Sequence, residues 1–291
     1  MSKKSRNRQL AKTAAHRQAE KRHKLRKRRL VTRGVAGAMA LGLIVAVFAV
    51  FAGGGSPENK ESGTPTPSPS SSPSPTPSPG TQTGTVPPAA GPKEVACGGT
   101  TPKEATEPKP QFYSPAQVLG PKASYAATIE TSCGTIVVKL LTTDAPTTAN
   151  SFAFLAEQGF YDGLRFFRLD TTIDVLQGGD PAGDATSGPG YVTPDELTGK
   201  ESYGPSVVAM ANGGPNTSGS QFFMVSGSKG HLLDDQALWT IFGEVVKGMD
   251  VVQAIQELPV VDPKLAAKGD IPSQAPTQAV YIEKVTIAKT K

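Results

Sequence analysis

The chain predicts an all-β domain, a closed antiparallel barrel with helices over its ends, preceded by one transmembrane helix and a disordered linker. Two observations carry the fold class. Beyond Ser124, short runs rich in Val, Ile, Leu and Phe are separated by glycine-rich connections, and only two stretches repeat apolar residues at helical spacing. A third observation excludes the main alternative: strands and helices do not alternate in the rhythm that a parallel sheet requires.

The segments before that domain are set by charge and composition. The first 33 residues hold fourteen Lys or Arg, from Lys3 to Arg33, against the single acid Glu20. Sixteen of the 30 basic residues and twenty-four of the 25 acidic ones remain for the rest, so a tail at +13 precedes a body at −8. The net +5 therefore describes the tail. A run such as Lys24, Arg26, Lys27, Arg28 and Arg29 has the character of an RNA- or lipid-binding stretch, but its position suggests a topological role and no nucleic acid is expected as a partner. Directly after it, Val35 to Ala52 is eighteen residues without a charge, near the minimum for a membrane-spanning helix. Residues 1–34 then read as a cytoplasmic tail and 35–52 as a single-pass anchor, with everything beyond Gly53 outside the cytoplasm by the positive-inside bias. A cleaved signal peptide is the alternative, since Val50-Phe51-Ala52 before Gly53 resembles a cleavage site.

From Gly53 to Pro92 the chain is nearly all Gly, Pro, Ser and Thr, densest at Thr64 to Pro69 and Pro73 to Pro79. Such a composition buries no core and reads as a tether, roughly 35 Å long as a coil and longer as polyproline II. Residues 93–123 form a weakly structured extension. The two cysteines, Cys97 and Cys133, lie beyond the anchor, where an oxidising compartment favours a disulfide fastening this extension to the domain; two buried thiols are the alternative. One histidine outside the tail, His231, is too few for a metal site with two cysteines.

The domain proper spans 124–289. Tyr125 to Glu130 and Thr135 to Leu141 flank a turn at Ser132-Cys133-Gly134 and alternate as a hairpin does. Asp144 and Pro146 start a helix whose stripe is Ala149, Phe152, Ala153 and Ala156, and Gly159 stops it. Strands follow at Leu164 to Leu169, Val175 to Gln177, Val207 to Ala211, Gln221 to Val225, Trp239 to Val245 and Val280 to Ile287, with a second helix over Met249 to Glu257.

Two stretches carry the chemistry. Phe166-Phe167-Arg168 runs into Gln177-Gly178-Gly179-Asp180, and Met210-Ala211-Asn212-Gly213-Gly214-Pro215-Asn216-Thr217-Ser218-Gly219-Ser220-Gln221-Phe222-Phe223 follows about thirty residues later. They bring one cation, amides and aromatic rings together without a nucleophile. Phe222 and Phe223 are adjacent in a strand and must face opposite sides, so one can be core and the other pocket.

With Thr240-Ile241-Phe242-Gly243-Glu244-Val245, these stretches resemble the cyclophilins, the peptidyl-prolyl cis-trans isomerases, over about Ser124 to Lys289. The resemblance implies an eight-stranded barrel capped by two helices, no cofactor, proline-containing polypeptides as partners, and a monomer acting as a folding factor. It implies Arg168 as the catalytic cation, Gln177 as the amide that holds it, and Phe223 as the floor of a proline pocket. Val175 and one of Leu232 or Leu233 would form walls, the backbone of Asn212 would grip the substrate beside the proline, and Ala211, Gln221 and Trp239 would complete the binding face. The chemistry needs no more: an X-Pro bond turns slowly because amide resonance must be broken, and a guanidinium aimed at the prolyl nitrogen stabilises the twisted amide more than either planar one.

The sequence also departs from the family. Leu169-Asp170-Thr171-Thr172-Ile173-Asp174-Val175-Leu176, between Arg168 and Gln177, is one residue longer than usual and lacks the Pro-Gly-Phe of the family. Either Ile173 fills the vacated aromatic position or Asp174 leaves it polar. Phe167 and Trp239 stand where histidines are common. Two functions follow: an extracytoplasmic, membrane-tethered isomerase, or a catalytically weak module that binds proline-containing segments.

Overall fold

The computed structural model describes residues 81–88, 90–120 and 123–290. The basic tail, the predicted span 35–52 and most of the linker lie outside the described residues. Among those described, no helix is long and apolar enough to cross a membrane.

The first described element departs from the linker expectation. β1 (Thr81–Val86) pairs antiparallel with β2 (Lys109–Phe112) in a two-stranded sheet. The extension that follows is packed rather than loose. Phe112 and Leu119 are buried, with the Phe112 ring 5.0 Å from Phe154, and each such side chain contributes about 2 kcal/mol of apolar burial. Asn150 accepts the Val118 and Leu119 N–H groups and donates to the Ala116 carbonyl. Cys97 and Cys133 are joined in a disulfide, and Val95 bridges Ala279 in parallel.

The remaining strands are β3 (Ser124–Thr131), β4 (Gly134–Leu140), β5 (Arg168–Asp170), β6 (Val175–Gly178), β7 (Val207–Met210), β8 (Phe222–Val225), β9 (Ile241–Lys247) and β10 (Ile282–Thr290). They form one antiparallel sheet in the order β10-β3-β4-β9-β7-β8-β6-β5. Alternation sets its inner face: in β4, Ile136, Val138 and Leu140 are buried while Thr135 and Lys139 are exposed. The β3–β4 turn is held by Thr131 Oγ1, which donates to the Gly134 carbonyl and accepts the Cys133 N–H.

The expected closed barrel is not formed. The end strands β5 and β10 do not pair; among the described residues the seam is crossed by the Gly163 and Phe166 N–H groups, which reach the Ile282 and Val280 carbonyls at 2.7 and 3.0 Å, by the Ile282 N–H, which reaches the Leu164 carbonyl at 2.7 Å, and by one bridge, Arg165 to Tyr281. The reason lies beside β5, whose outer neighbour is a 3₁₀ turn at Pro272–Gln274 instead of β10.

The helices are α1 (Pro146–Glu157), α2 (Met249–Gln256) and a single turn, α3 (Pro263–Ala266), which the sequence reading did not include. Pro146 opens α1 as expected, but Asp144 does not cap it. Glu196, from a distant loop, takes the free Thr147 and Thr148 N–H groups at 2.9 and 2.8 Å. Gly159, at φ 64°, ends the segment in the left-handed region. Phe152 carries α1 into the core, its ring 4.9 to 5.5 Å from Tyr161, Phe242 and Phe222.

Candidate active site

Strand register lines up the candidate residues. Arg168 is opposite Gln177, Gln177 opposite Phe223, and Phe223 opposite Ala209 across β5, β6, β8 and β7. Directly opposed residues point to one side of a sheet, so these four share the outer face. Their neighbours along each strand, Leu169, Leu176, Phe222 and Met224, enter the inner core. The paired phenylalanines divide as the alternation requires: Phe222 belongs to the core, and Phe223 to a second apolar cluster on the outside.

That cluster contains Val175, Tyr203, Phe223, Val225 and Leu233, with Ile173, Ala211 and Trp239 packed against it. Trp239 stands edge-on to both Phe223 and Tyr203, with centroids 6.1 and 5.8 Å apart. Tyr203 holds it there, since its hydroxyl donates to the Trp239 carbonyl at 2.8 Å and accepts the Trp239 N–H at 3.0 Å. Burial pushes the Tyr203 phenol up to about 12. Of the two leucines proposed as a wall, Leu233 is in the cluster and Leu232 is 62% exposed outside it.

The lengthened loop resolves in favour of Ile173. Asp174 takes φ 50° and turns away. Its carboxylate accepts the Lys229 N–H and ammonium, both at 3.0 Å, while its carbonyl accepts the Ser226 N–H and hydroxyl. The loop is thereby clasped to the segment that delivers Leu233, and Ile173 is left on the pocket side.

The cation is fixed by three acceptors. Arg168 donates from Nε to Gln274 Oε1 at 2.6 Å, from Nη1 to Gln177 Oε1 at 3.0 Å, and from Nη2 to Asp170 Oδ2 at 2.6 Å. Burial lowers the guanidinium pKa and Asp170 opposes that shift; a guanidinium is not deprotonated in proteins, so the group stays charged. Gln177 in turn donates to Gln221 Oε1 at 3.0 Å, and Gln221 to the Ser187 carbonyl at 3.0 Å. On the opposite side, the Asn212 side chain donates to the Leu238 carbonyl at 2.8 Å, and Ala211 N–H pairs with the Gln221 carbonyl. Neither the N–H nor the C=O of Asn212 is hydrogen-bonded among the described residues, which leaves both for a bound chain. Among the described residues no group of His, Cys, Asp and Glu is arranged to hold a metal.

Asp170, Gln274 and Tyr203 were not singled out in the sequence. Asp170 had a usable signal, since it stands two residues after Arg168 on the same face of a strand. Gln274, 106 residues from Arg168, had none.

The face sets a fixed cation beside an apolar cluster, with the unbonded main-chain groups of Asn212 near its edge. The family model described as cyclophilin type peptidyl-prolyl cis-trans isomerase/CLD matches residues 126–287, more than half the chain. Peptidyl-prolyl cis-trans isomerase A of Mycobacterium tuberculosis is 37% identical over 186 residues, covering 58% of this chain and 94% of that protein. Peptidyl-prolyl cis-trans isomerase-like 1 of Mus musculus is 39% identical over 148 residues, covering 47% and 87%. The crystal structure of a cyclophilin type isomerase from Cryptosporidium parvum superposes with a TM-score of 0.50 at 25% identity, over 58% of this chain and 99% of that one. The chain belongs to the cyclophilin-type peptidyl-prolyl cis-trans isomerases and is an isomerase.

Proposed function

We propose that this isomerase acts on X-Pro bonds of extracytoplasmic polypeptides while tethered to the membrane through residues 35–52, with Arg168 stabilising the twisted amide. The observation that carries the catalytic part is the fixed guanidinium in the same cross-strand row as Phe223. When the amide plane twists, the prolyl nitrogen regains a lone pair that accepts an N–H donor. A donor already held in place needs little reorganisation at that moment, and the lone pair is weak in the planar ground states, so the interaction favours the transition state. The pocket around Phe223 seats the proline ring, and the free Asn212 main chain grips the preceding residue.

Support for the placement outside the cytoplasm comes from the +13 tail preceding an uncharged stretch and from the Cys97–Cys133 bond, which suits an oxidising compartment.

The catalytic assignment is tested with the purified full chain on an Ala-Pro peptide, by exchange NMR and by a coupled assay. Arg168→Ala should lower kcat by about 10²- to 10³-fold with little change in KM. Arg168→Lys should recover only a small part, because an ammonium cannot satisfy three fixed acceptors and still donate to substrate. Wild-type kcat in Arg168→Ala would remove the guanidinium from the mechanism.

A further inference from the structure

We infer that Asp170 is a positioning residue for the isomerisation, its carboxylate setting the orientation in which the Arg168 guanidinium meets the prolyl nitrogen. The inference rests on the assignment of Arg168 above. An acid on a short strand ordinarily faces solvent, yet the Asp170 side chain is 4% exposed and its partner Arg168 16%. Burying such a pair is costly and seldom adds stability over an apolar pair, so its presence here asks for another reason.

The geometry supplies one. Arg168 and Asp170 lie two residues apart on one face of β5, and Asp170 stands opposite the pocket wall Val175. Oδ1 of Asp170 is occupied by Thr172, which donates its N–H at 2.9 Å and its hydroxyl at 2.5 Å. The carboxylate is thus held from behind, and Oδ2 is aimed at Arg168 Nη2. Gln274, fully buried and anchored by its own donation to the Ala266 carbonyl, holds Nε, and Gln177 holds Nη1. A guanidinium has five N–H bonds. Three are consumed at three different nitrogens, which fixes the plane and leaves one N–H on each terminal nitrogen for substrate.

A prolyl nitrogen lone pair is a neutral acceptor, so the useful property of Arg168 is the direction of an N–H and not its net charge. A carboxylate that partly cancels the charge while fixing the direction then aids the reaction. Misplacing a catalytic group by about 1 Å can cost on the order of a hundredfold. Asp170 is the anchor at Nη2, one of the two nitrogens left to donate.

The test uses the full chain and an Ala-Pro peptide, with four variants: Arg168→Ala, Asp170→Ala, Asp170→Asn and the double Arg168→Ala/Asp170→Ala. Asp170→Ala should lower kcat by roughly tenfold or more with KM within about twofold of wild type. Asp170→Asn, which keeps one of the two acceptor oxygens, should fall between. In the Arg168→Ala background, removing Asp170 should cause no further loss, because the carboxylate acts only through the guanidinium. In ¹⁵N-correlated spectra the terminal N–H signals of Arg168, identified by their loss in Arg168→Ala, should be resolved in wild type and averaged in Asp170→Ala; this readout separates loss of orientation from loss of fold. Unchanged kcat in Asp170→Ala alongside a crippled Arg168→Ala overturns the inference and leaves the Arg168 assignment standing. An equal further loss in the double variant overturns it as well, showing a structural role. Wild-type kcat in Arg168→Ala overturns both.

Discussion

Replacing Asp174 with alanine tests how the lengthened loop supports the apolar cluster around Phe223, the pocket proposed for proline. The carboxylate accepts two bonds from Lys229, and the residue holds φ 50°. Losing a charged acceptor for the Lys229 N–H costs about 1.5 kcal/mol at the lower end of the range, because that exposed amide can be hydrated instead. The ion pair adds at most about 0.5 kcal/mol, since the Lys229 side chain is 56% exposed. Alanine tolerates the left-handed region less well than aspartate, by a few tenths of a kcal/mol. The sum is about 2 kcal/mol, or about 4 to 8 °C in Tm for a domain of this size. Asparagine keeps an acceptor and the backbone preference, so Asp174→Asn should lose under about 1 kcal/mol. Because the clasp places Ile173 on the pocket side, its release should raise KM for an Ala-Pro peptide about fivefold, the equivalent of ~1 kcal/mol of apolar contact. Urea unfolding and steady-state kinetics measure the two effects. A variant as stable as wild type with an unchanged KM would show that the loop keeps its shape without Asp174 and that the clasp is incidental.

Two further outcomes are expected. Tyr203, raised by burial to about 12, contributes stability that is full below the ordinary phenol value of about 10 and is lost as pH rises through about 12; thermal unfolding should show a shallower alkaline decline for Tyr203→Phe than for wild type, and parallel curves would contradict the burial argument. If the domain is extracytoplasmic, the Cys97–Cys133 bond should be present in the full chain when thiols are blocked at lysis, read by mass spectrometry; two alkylated cysteines would refute the placement.

Much of the sheet was legible because its strands alternate. Ile136, Val138 and Leu140 announce a face, and Phe222 with Phe223 requires two faces from adjacency alone. The stretch Met210 to Phe223 was legible for a different reason: its glycines, amides and aromatics form a long unbroken pattern. Three things were hidden. Thr81–Val86 alternates weakly and lies in a stretch whose proline and serine content masks it, so pairing with Lys109–Phe112 decides its structure. Closure of the barrel depends on what lies beside β5, and the Pro272–Gln274 turn that takes that place is set by tertiary packing. Asp170 and Gln274 become functional candidates only once folding sets them at Nη2 and Nε of Arg168, a relation between side chains far apart or of opposite expected exposure.

The attachment of the extension has a mechanical consequence. Tension applied to the chain before Thr81 enters through β1, whose hydrogen bonds to β2 can peel and lengthen the chain by a few residues. Beyond β1 the load meets the Arg165 bond to the Ala90 carbonyl and the bridge from Val95 to Ala279, and then the covalent link from Cys97 to Cys133, in the turn between β3 and β4. It passes into the part of the sheet farthest in strand order from β5 and β6. A pull on the chain ahead of Thr81 is therefore borne largely where the sheet is longest, away from the strands that carry Arg168 and Gln177.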